Sequence, residues 1–228
     1  MVQVRAAAFL FDLDGVLIDS TPAVSRVWRN WANQHGFDAD EVIQRAHGRP
    51  SISTIREYLP DADAEHENSI VEQWEISDVE GVVPLPGAYE LLTSLPRDRW
   101  AIVTSCTRPL AEVRIRVAGL PMPDVLITSN DISRGKPDPE PYVKGAAALG
   151  FRPADCVVCE DVAPGIRSGK SAGATVFALR TTVSDSELLE TDADYIVNDC
   201  TLIRARIEDG TGLVVSVTPA ITRAQLTR

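Results

Sequence analysis

The order of hydrophobic and polar positions divides this chain into two kinds of sequence. Between residues 21 and 79, apolar side chains recur at helical spacing, as at Trp28, Trp31 and Ala32, and no strand-like alternation interrupts them. From Val82 onward, short β-branched runs alternate with helical segments. Strands separated by helices are typical of a parallel, doubly wound sheet, so the pattern predicts an α/β fold that carries an all-helical block.

The same pattern places each element of the predicted sheet. We expect strands at 6–11, 100–104, 125–128, 156–159, 175–179 and 195–197, and helices at 87–95, 109–118, 139–149 and 164–172. A last edge strand is predicted at 213–217, and disorder is predicted beyond Pro219. The helical block then follows the first strand as an insertion. This organisation predicts a core domain over 1–18 and 82–228 and a helical cap domain over 19–81.

Composition and charge narrow the class of protein. The 228 residues are 44% hydrophobic and 24% charged, which is ordinary for a globular protein, and the apolar runs are well short of the ~20 residues of a membrane span. The net charge of −11 argues against a nucleic-acid binder, because such proteins gain affinity from a basic surface. The start of the chain is too short for a signal peptide and the four cysteines are few, so we expect a cytoplasmic protein.

Two carboxylates follow the first predicted strand. Asp12 and Asp14 come after an uninterrupted apolar run, and Gly15 lets the chain turn sharply behind them. The pair should therefore lie at the carboxyl end of a buried strand, which is the edge where open α/β sheets bind ligands. A carboxylate there can serve as nucleophile, metal ligand or proton carrier, whereas an isolated Asp-x-Asp could also be a loop that turns into solvent.

Three further segments reach the same edge of the predicted sheet. Residues 104–108 form a hydroxyl-rich turn that could bind phosphate at the start of a helix, or could simply cap that helix. Lys136 lies in a rigid Gly-Lys-Pro turn, where it could hold a phosphoryl oxygen or remain a solvated surface lysine. Glu160 and Asp161 end another buried strand, and carboxylates clustered there suit Mg²⁺, with helix capping by Asp161 as the alternative.

In this order, the four segments resemble the four motifs of the haloacid dehalogenase superfamily, and the resemblance covers nearly the whole chain. The matching positions are Asp12-x-Asp14-Gly15, Thr104-Ser105, Lys136 in Gly-Lys-Pro, and Glu160-Asp161. The helical insertion is similar to the cap of the subgroup that contains β-phosphoglucomutase and many small phosphatases. More narrowly, His47-Gly48-Arg49, 100–108 and 135–142 resemble the glycerol-phosphate and 2-deoxyglucose-6-phosphate phosphatases. Those phosphatases usually place an arginine two residues after the cap glycine, whereas here Arg49 follows Gly48 directly, a departure that bears on the identity of the substrate.

The resemblance implies a Mg²⁺-dependent phosphomonoesterase that acts on a small sugar or polyol phosphate. Asp12 would attack phosphorus in line and form an aspartyl-phosphate, which splits one hydrolysis into two displacements. Asp14 would protonate the leaving oxygen and later take a proton from the attacking water. The cap would exclude water and select the leaving group.

The resemblance also implies which groups surround the reacting atoms. The phosphoryl oxygens would be held by Ser105, or by Thr104 in its place, by the Cys106 backbone N–H and by Lys136. Mg²⁺ would be held by Asp12, the backbone carbonyl of Asp14, Asp161, and Glu160 either nearby or through water. The residues expected to select the substrate are His47, Gly48, Arg49 and Arg108.

Several rival functions fit parts of this pattern. A β-phosphoglucomutase-like mutase would share Asp12 and Asp14 but return the phosphoryl group to the sugar, and a phosphatase of specialised metabolism would act on a different phosphorylated small molecule. A dehalogenase of the superfamily lacks the second aspartate, so Asp14 speaks against it. An inactive binding module would have lost a motif carboxylate or the lysine, and all are present. We expect a small phosphate ester as partner, no nucleic acid, no membrane, and a monomer or weak homodimer.

Overall fold

The centre of the molecule is a six-stranded parallel sheet. The structure is a computed structural model that describes residues 1–46, 49–208 and 212–220. In chain order the strands are β1 (Val2–Ala6), β2 (Ala8–Phe11), β3 (Ile18–Asp19), β4 (Val83–Pro84), β5 (Trp100–Val103), β6 (Leu126–Ile127), β7 (Cys156–Glu160), β8 (Thr175–Leu179), β9 (Tyr195–Val197), β10 (Ile203–Glu208) and β11 (Gly212–Val217). The order across the parallel sheet is β6-β5-β2-β7-β8-β9, which places β2 between β5 and β7.

Helices cover both faces of this sheet. They are α5 (Ala88–Ser94), α6 (Arg108–Val117), α7 (Glu140–Ala148), α8 (Ala163–Ser171) and α9 (Asp185–Leu189). Alternate residues of β2 enter two hydrophobic cores, because successive side chains of a strand point to opposite faces. Phe9 and Phe11 pack with α5 and α6, whereas Ala8 and Leu10 pack with α7, α8 and α9. The predicted doubly wound α/β fold is confirmed.

The inserted block is helical and has its own hydrophobic cluster. Its helices are α1 (Thr21–His35), α2 (Ala39–Ala46), α3 (Ser51–Tyr58) and α4 (Ala64–Ser77). Trp28, Trp31 and Ile55 are buried in this cluster, as their helical spacing predicts. The two connections to the sheet run side by side, because β3 pairs antiparallel with β4. The division into domains over 1–18 with 82–228 and over 19–81 stays a prediction.

The two ends of the chain depart from the predicted strands. The segment 6–11 is not one strand, because Val2–Ala6 and Ala8–Phe11 belong to different sheets. The predicted edge strand at 213–217 is instead the middle of a separate antiparallel sheet with the order β1-β11-β10. Its position follows from burial, because Leu213, Val214 and Val215 are all buried, which an edge strand rarely achieves. The prediction had omitted β1, β10 and α9.

Two further predictions concern the C-terminal tail and membrane spans. The tail predicted to be disordered lies, for residues 221–228, outside the described residues. Across the described ranges, no helix combines the length and the apolar character that crossing a membrane requires.

Candidate active site

The carboxyl ends of three neighbouring strands converge on one cavity of about 160 Å³. Asp12 follows β2 directly, Thr104 follows β5, and Glu160 with Asp161 ends β7. Because β2 is the strand between the other two, the side chain of Asp12 lies at the centre of this edge. The turn before α7 adds Lys136 to the same cavity. The structure therefore brings together all four segments that the sequence singled out.

Two glycines let the backbone approach the acidic side chains closely. Gly15 has a φ of +80°, and a Cβ atom there would lie 2.0 Å from Asp161 Oδ2. A Cβ atom on Gly165 would lie 1.8 Å from Glu160 Oε1. Neither position can therefore accept a side chain without displacing a carboxylate of the site.

Lys136 is the cation at the floor of the cavity. Its Nζ donates to Asp12 Oδ1 and Glu160 Oε1, both at 2.7 Å, and to the Val103 carbonyl oxygen at 3.1 Å. The Tyr142 hydroxyl donates to the same Glu160 oxygen at 2.6 Å. Burial opposes the charge of Lys136, but the two carboxylates outweigh it and raise the lysine pKa. The lysine is thus charged and fixed in place.

Three carboxylates around this lysine form a set suited to a divalent cation. One oxygen from each of Asp12, Glu160 and Asp161 lies within 4.8 Å of the others. The pKa of Asp12 is raised to about 7, chiefly by burial, with Lys136 lowering it and the Glu160 carboxylate raising it by smaller amounts. Burial likewise raises the pKa of Asp161. Asp161 Oδ1 is buried and has no hydrogen-bond partner among the described residues.

This donor set fits Mg²⁺. A buried carboxylate oxygen without a partner is costly, and a bound cation would satisfy it. Burial is the main cause of the raised pKa values of Asp12 and Asp161, repulsion between the carboxylates adds to it, and a bound cation would oppose both. The carboxylates of Asp12 and Asp161, with Glu160 beside them, are the groups that would hold the ion.

Asp14 has different partners from Asp12. Its Oδ1 accepts hydrogen bonds from Ser20 Oγ at 2.5 Å and from Arg114 Nη1 at 3.0 Å, and its Oδ2 accepts one from Cys106 Sγ at 3.1 Å. Arg114 also donates through Nη2 to Glu75 Oε1 of α4 at 3.2 Å. Arg114 therefore connects Asp14 to the inserted helices.

The sequence reasoning missed this buried bridge. Arg114 is 3% exposed and Glu75 is 8% exposed, so the buried Glu75 carboxylate depends on Arg114 for compensation, and Arg114 is compensated by Glu75 and Asp14 together. A signal was present, because Arg114 falls on the apolar face of α6 that Leu110, Ala111 and Ile115 define. A charged residue on an apolar helical face indicates a buried partner rather than solvent.

The second segment places two hydroxyls at the cavity, as predicted, without choosing between them. Thr104 is buried and its Oγ1 accepts a hydrogen bond from the Cys106 backbone N–H at 3.1 Å. Ser105 is half-buried, and both residues line the cavity. The choice of Ser105 over Thr104, and the role of the Cys106 N–H in binding phosphate, stay predictions.

The residues predicted to select the substrate have separate positions. Arg49 lines the cavity, and its Nη1 lies 2.9 Å from Glu57 Oε2. Arg108 does not belong to the described cavity lining, and its Nη2 donates to Asp131 Oδ2 and the Leu126 carbonyl oxygen, both at 2.9 Å. His47 and Gly48 lie outside the described residues. The roles of Arg49, Arg108, His47 and Gly48 in selecting the substrate stay predictions.

Comparison with known proteins gives the family. A family model of haloacid dehalogenase-like hydrolases matches residues 6–173. The chain belongs to this hydrolase family. The superfamily predicted from the four motifs is therefore confirmed.

The sequence relatives of this hydrolase include phosphatases of small molecules. Hexitol phosphatase A of Escherichia coli (strain K12) is 43% identical over 193 residues, which cover 82% of this chain and 89% of the relative. Glycerol-1-phosphate phosphohydrolase 2 of Saccharomyces cerevisiae (strain ATCC 204508 / S288c) is 36% identical over 215 residues, covering 89% and 86%. A 2-deoxyglucose-6-phosphate phosphatase of the same yeast and the validoxylamine A 7'-phosphate phosphatase of Streptomyces hygroscopicus subsp. limoneus also match. The narrower resemblance to these phosphatases is confirmed.

Solved structures agree with the fold of this hydrolase. The crystal structure of a hydrolase from Pseudomonas syringae has a TM-score of 0.75 and 26% sequence identity, and the match covers 85% of this chain and 93% of that chain. A Thermotoga maritima structure described as a candidate β-phosphoglucomutase has a TM-score of 0.64 and 29% identity, covering 83% and 93%. The predicted structural likeness to β-phosphoglucomutase is confirmed.

Proposed function

We propose that this hydrolase is a Mg²⁺-dependent phosphomonoesterase that acts on a small sugar or polyol phosphate through an aspartyl-phosphate at Asp12. The observation that carries the proposal is one cavity in which Asp12, Lys136 and the acidic pair of β7 meet. The relatives support the substrate class, because they are named for hexitol, glycerol and 2-deoxyglucose phosphates.

Asp12 is the nucleophile in this proposal. It stands at the centre of the sheet edge, and Lys136 holds its Oδ1 at 2.7 Å, so its carboxylate has a fixed orientation. The charge of Lys136 stabilises the ionised carboxylate and the negative charge of an arriving phosphoryl group. Ser105, with Thr104 as the alternative, and the Cys106 backbone N–H would hold the other phosphoryl oxygens.

Asp14 is the acid and base in this proposal. Arg114 lies 3.0 Å from its carboxylate and holds it in place, so that it can accept a proton from the attacking water in the second displacement. In the first displacement, a protonated Asp14 would deliver its proton to the leaving oxygen, which then departs as an alcohol. The groups that would hold Mg²⁺ are Asp12, the Asp14 backbone carbonyl and Asp161, with Glu160 nearby or through water, and the ion would supply positive charge against the repulsion between carboxylate and phosphate.

The inserted helices form the cap in this proposal. A hydrophobic cluster confined to them, and the antiparallel pairing of β3 with β4 at their base, support a cap domain over 19–81 and a core domain over 1–18 and 82–228. Arg49 of the cap, together with His47 and Gly48, would contact the leaving group. Action in the cytoplasm, as a monomer or weak homodimer, stays a prediction.

A panel of phosphate esters tests the function. The purified chain is incubated with MgCl₂ and hexitol, glycerol, 2-deoxyglucose and amino-cyclitol phosphates, and free phosphate is measured against an Asp12→Asn control. We expect phosphate release from at least one polyol or sugar ester by the wild type alone. Release from none would contradict the proposal, and conversion of a sugar 1-phosphate into its 6-phosphate through a bisphosphate would identify a mutase.

A further inference from the structure

The wall of the cavity that the inserted helices α1 to α4 form, called the cap side below, carries a carboxylate that the proposed chemistry does not use. Glu72 lies on α4, is half-buried and lines the cavity. Its Oε1 accepts a short hydrogen bond from the Thr107 hydroxyl, on the turn that also carries Ser105. This bond crosses from α4 to the turn after β5, so the carboxylate is held at the wall of the cavity where the inserted helices meet the sheet edge.

The cations of the cavity are already compensated. Each of the three that line it within the described residues contacts at least one carboxylate at 3.2 Å or less. The pairs are Lys136 with Asp12 and Glu160, Arg114 with Asp14 and Glu75, and Arg49 with Glu57. In the described part of the chain, no Lys, Arg or His side chain lies within 4.0 Å of the Glu72 carboxylate, so Glu72 has no ion-pair partner there.

Neighbouring groups offer hydrogen bonds rather than positive charge. Ser51 Oγ donates to Asn68 Oδ1 at 2.6 Å, which fixes the amide of Asn68 beside Glu72 on the cavity wall. A carboxylate and an amide together can accept from and donate to the hydroxyl groups of a polyol. A carboxylate or second phosphate in the same place would instead be repelled by Glu72.

We propose that Glu72 restricts the leaving group to neutral or cationic polyhydroxyl chemistry and rejects a second negative charge. This inference rests on the proposed phosphatase function, whose site it extends from the phosphoryl group to the leaving group. It also argues against the mutase alternative, because a sugar bisphosphate would have to place its second phosphate on the side of the cavity where Glu72 lies.

Three esters on one carbon skeleton test the inference. Sorbitol 6-phosphate, 6-phosphogluconate and 1-amino-1-deoxysorbitol 6-phosphate differ only at C1, which is part of a hydroxymethyl, a carboxylate or an ammoniomethyl group. We expect kcat/KM of the wild type to be at least about tenfold lower for 6-phosphogluconate than for sorbitol 6-phosphate, and equal or higher for the amine. Equal values for the acid and the alcohol would overturn the inference.

Variants assign the selectivity to Glu72. Glu72→Gln keeps an acceptor for Thr107, removes the charge, and should shift the acid-to-alcohol ratio of kcat/KM toward the acid by roughly tenfold. Glu72→Lys should shift it further. Glu65→Gln is the matched control, because Glu65 lies on the same helix and its side chain is 73% exposed, and it should leave the ratio unchanged.

The outcomes separate this inference from the function beneath it. If the wild type releases phosphate from none of the three esters or the wider panel, the proposed function fails. If phosphate is released but the ratio is the same in wild type, Glu72→Gln and Glu72→Ala, the function stands and the role of Glu72 is wrong. The alanine variant also covers the case in which the glutamine variant does not fold.

Discussion

The two sides of the cavity are built in different ways. On the sheet side, the side chains of Lys136 and Glu160 are 4% and 0% exposed, and each is held by several short hydrogen bonds. On the cap side, Arg49 and Glu57 are 33% and 37% exposed and meet in one ion pair. The first arrangement comes from the end of β7 and the turn before α7, and the second from side chains on the surface of the inserted helices.

This difference indicates which side of the cavity can carry the phosphoryl chemistry and which can carry the selection of substrates. Breaking a buried charge pair leaves an uncompensated charge and is strongly destabilising, so the sheet side tolerates little change. An exposed ion pair contributes about 0 to 1 kcal/mol, so the cap side can change its residues without loss of the fold. Chemistry common to many substrates therefore belongs to the sheet side, and selection among substrates to the cap side.

Removal of the proposed nucleophile should give the largest effect. Asp12→Asn keeps the size of the side chain but cannot form the aspartyl-phosphate, so we expect kcat to fall by about 10⁴-fold, which is about 5.5 kcal/mol. Steady-state phosphate release measures the effect. Asp98→Asn, whose side chain is 76% exposed in the wild type, is the control and should keep full activity. More than a tenth of the wild-type rate in folded Asp12→Asn would show that Asp12 is not the nucleophile.

Removal of the metal should abolish turnover almost as completely. We expect excess chelator to stop phosphate release, Mg²⁺ to restore it, and Ca²⁺ to restore it poorly because Ca²⁺ prefers longer and less regular coordination. Asp161→Asn should raise the Mg²⁺ concentration that gives half-maximal activity by at least roughly tenfold, because it removes one charged ligand. Full activity in chelator would rule out the proposed metal requirement.

The bridge between the two sides should matter most for stability. Arg114→Met leaves Asp14 and Glu75 uncompensated, so we expect the free energy of unfolding to fall by about 3 kcal/mol in urea titrations. Arg108→Met is the matched control on the same helix, because Arg108 is 42% exposed, and should cost at most about 1 kcal/mol. Similar losses in the two variants would mean that the buried bridge adds nothing.

The crowded carboxylates should make the metal-free protein less stable as pH rises. The pKa of Asp12 is about 7 in the folded chain against 3.8 for an unperturbed aspartate, so the folded state binds the proton more tightly. The stability that this proton provides is present below about pH 4 and is lost as pH rises towards about 7.

The wild type therefore should lose roughly 2 to 3 kcal/mol more than Asp12→Asn between pH 5 and 7.5, measured by urea unfolding in chelator. The raised pKa values of Asp161 and Glu75 act in the same direction in both proteins, so the difference reports Asp12 together with its charge interaction with Asp161. Parallel pH profiles for the two proteins would contradict the raised pKa of Asp12.

The smallest effect on activity should come from removing Arg49, which forms an exposed ion pair with Glu57 on the cap side. Arg49→Ala should lower kcat/KM for a hexitol phosphate by about tenfold and change p-nitrophenyl phosphate turnover much less, because that ester makes few cap contacts. Arg45→Ala is the control, because Arg45 pairs with the same Glu57 at 3.0 Å but does not line the cavity. Equal losses for both esters would place Arg49 at the phosphoryl group instead.

The parallel sheet and the four segments of the site could be predicted from the sequence alone. Each signal was local: an apolar run marks a strand buried on both faces, and acids or hydroxyls directly after the run lie at its carboxyl end. Asp12, Thr104 and Glu160 could be placed in this way because strand ends in one parallel sheet must meet at one edge. Lys136 was found through its motif, since the turn that carries it has no strand signal.

The contacts between side chains that are distant in the sequence could be identified only from the folded structure. Arg114 meets Asp14, which is 100 residues away in the sequence, and Thr107 meets Glu72 across the cap. A helical pattern records which face a side chain occupies but not which element packs on that face, so these partners could not be read from the chain.

The separate antiparallel sheet was hidden for the same physical reason. Pairing of β1 with β11 joins the two ends of the chain, and neither strand contains information about a partner about 200 residues away. The sequence therefore determined which residues carry the chemistry, because burial and strand ends are local properties. The folded structure determines which charged side chains of the cavity form ion pairs and which, like Glu72, have no ion-pair partner in the described part of the chain. Ion pairing depends on the distance between side chains in space, which the order of residues does not give.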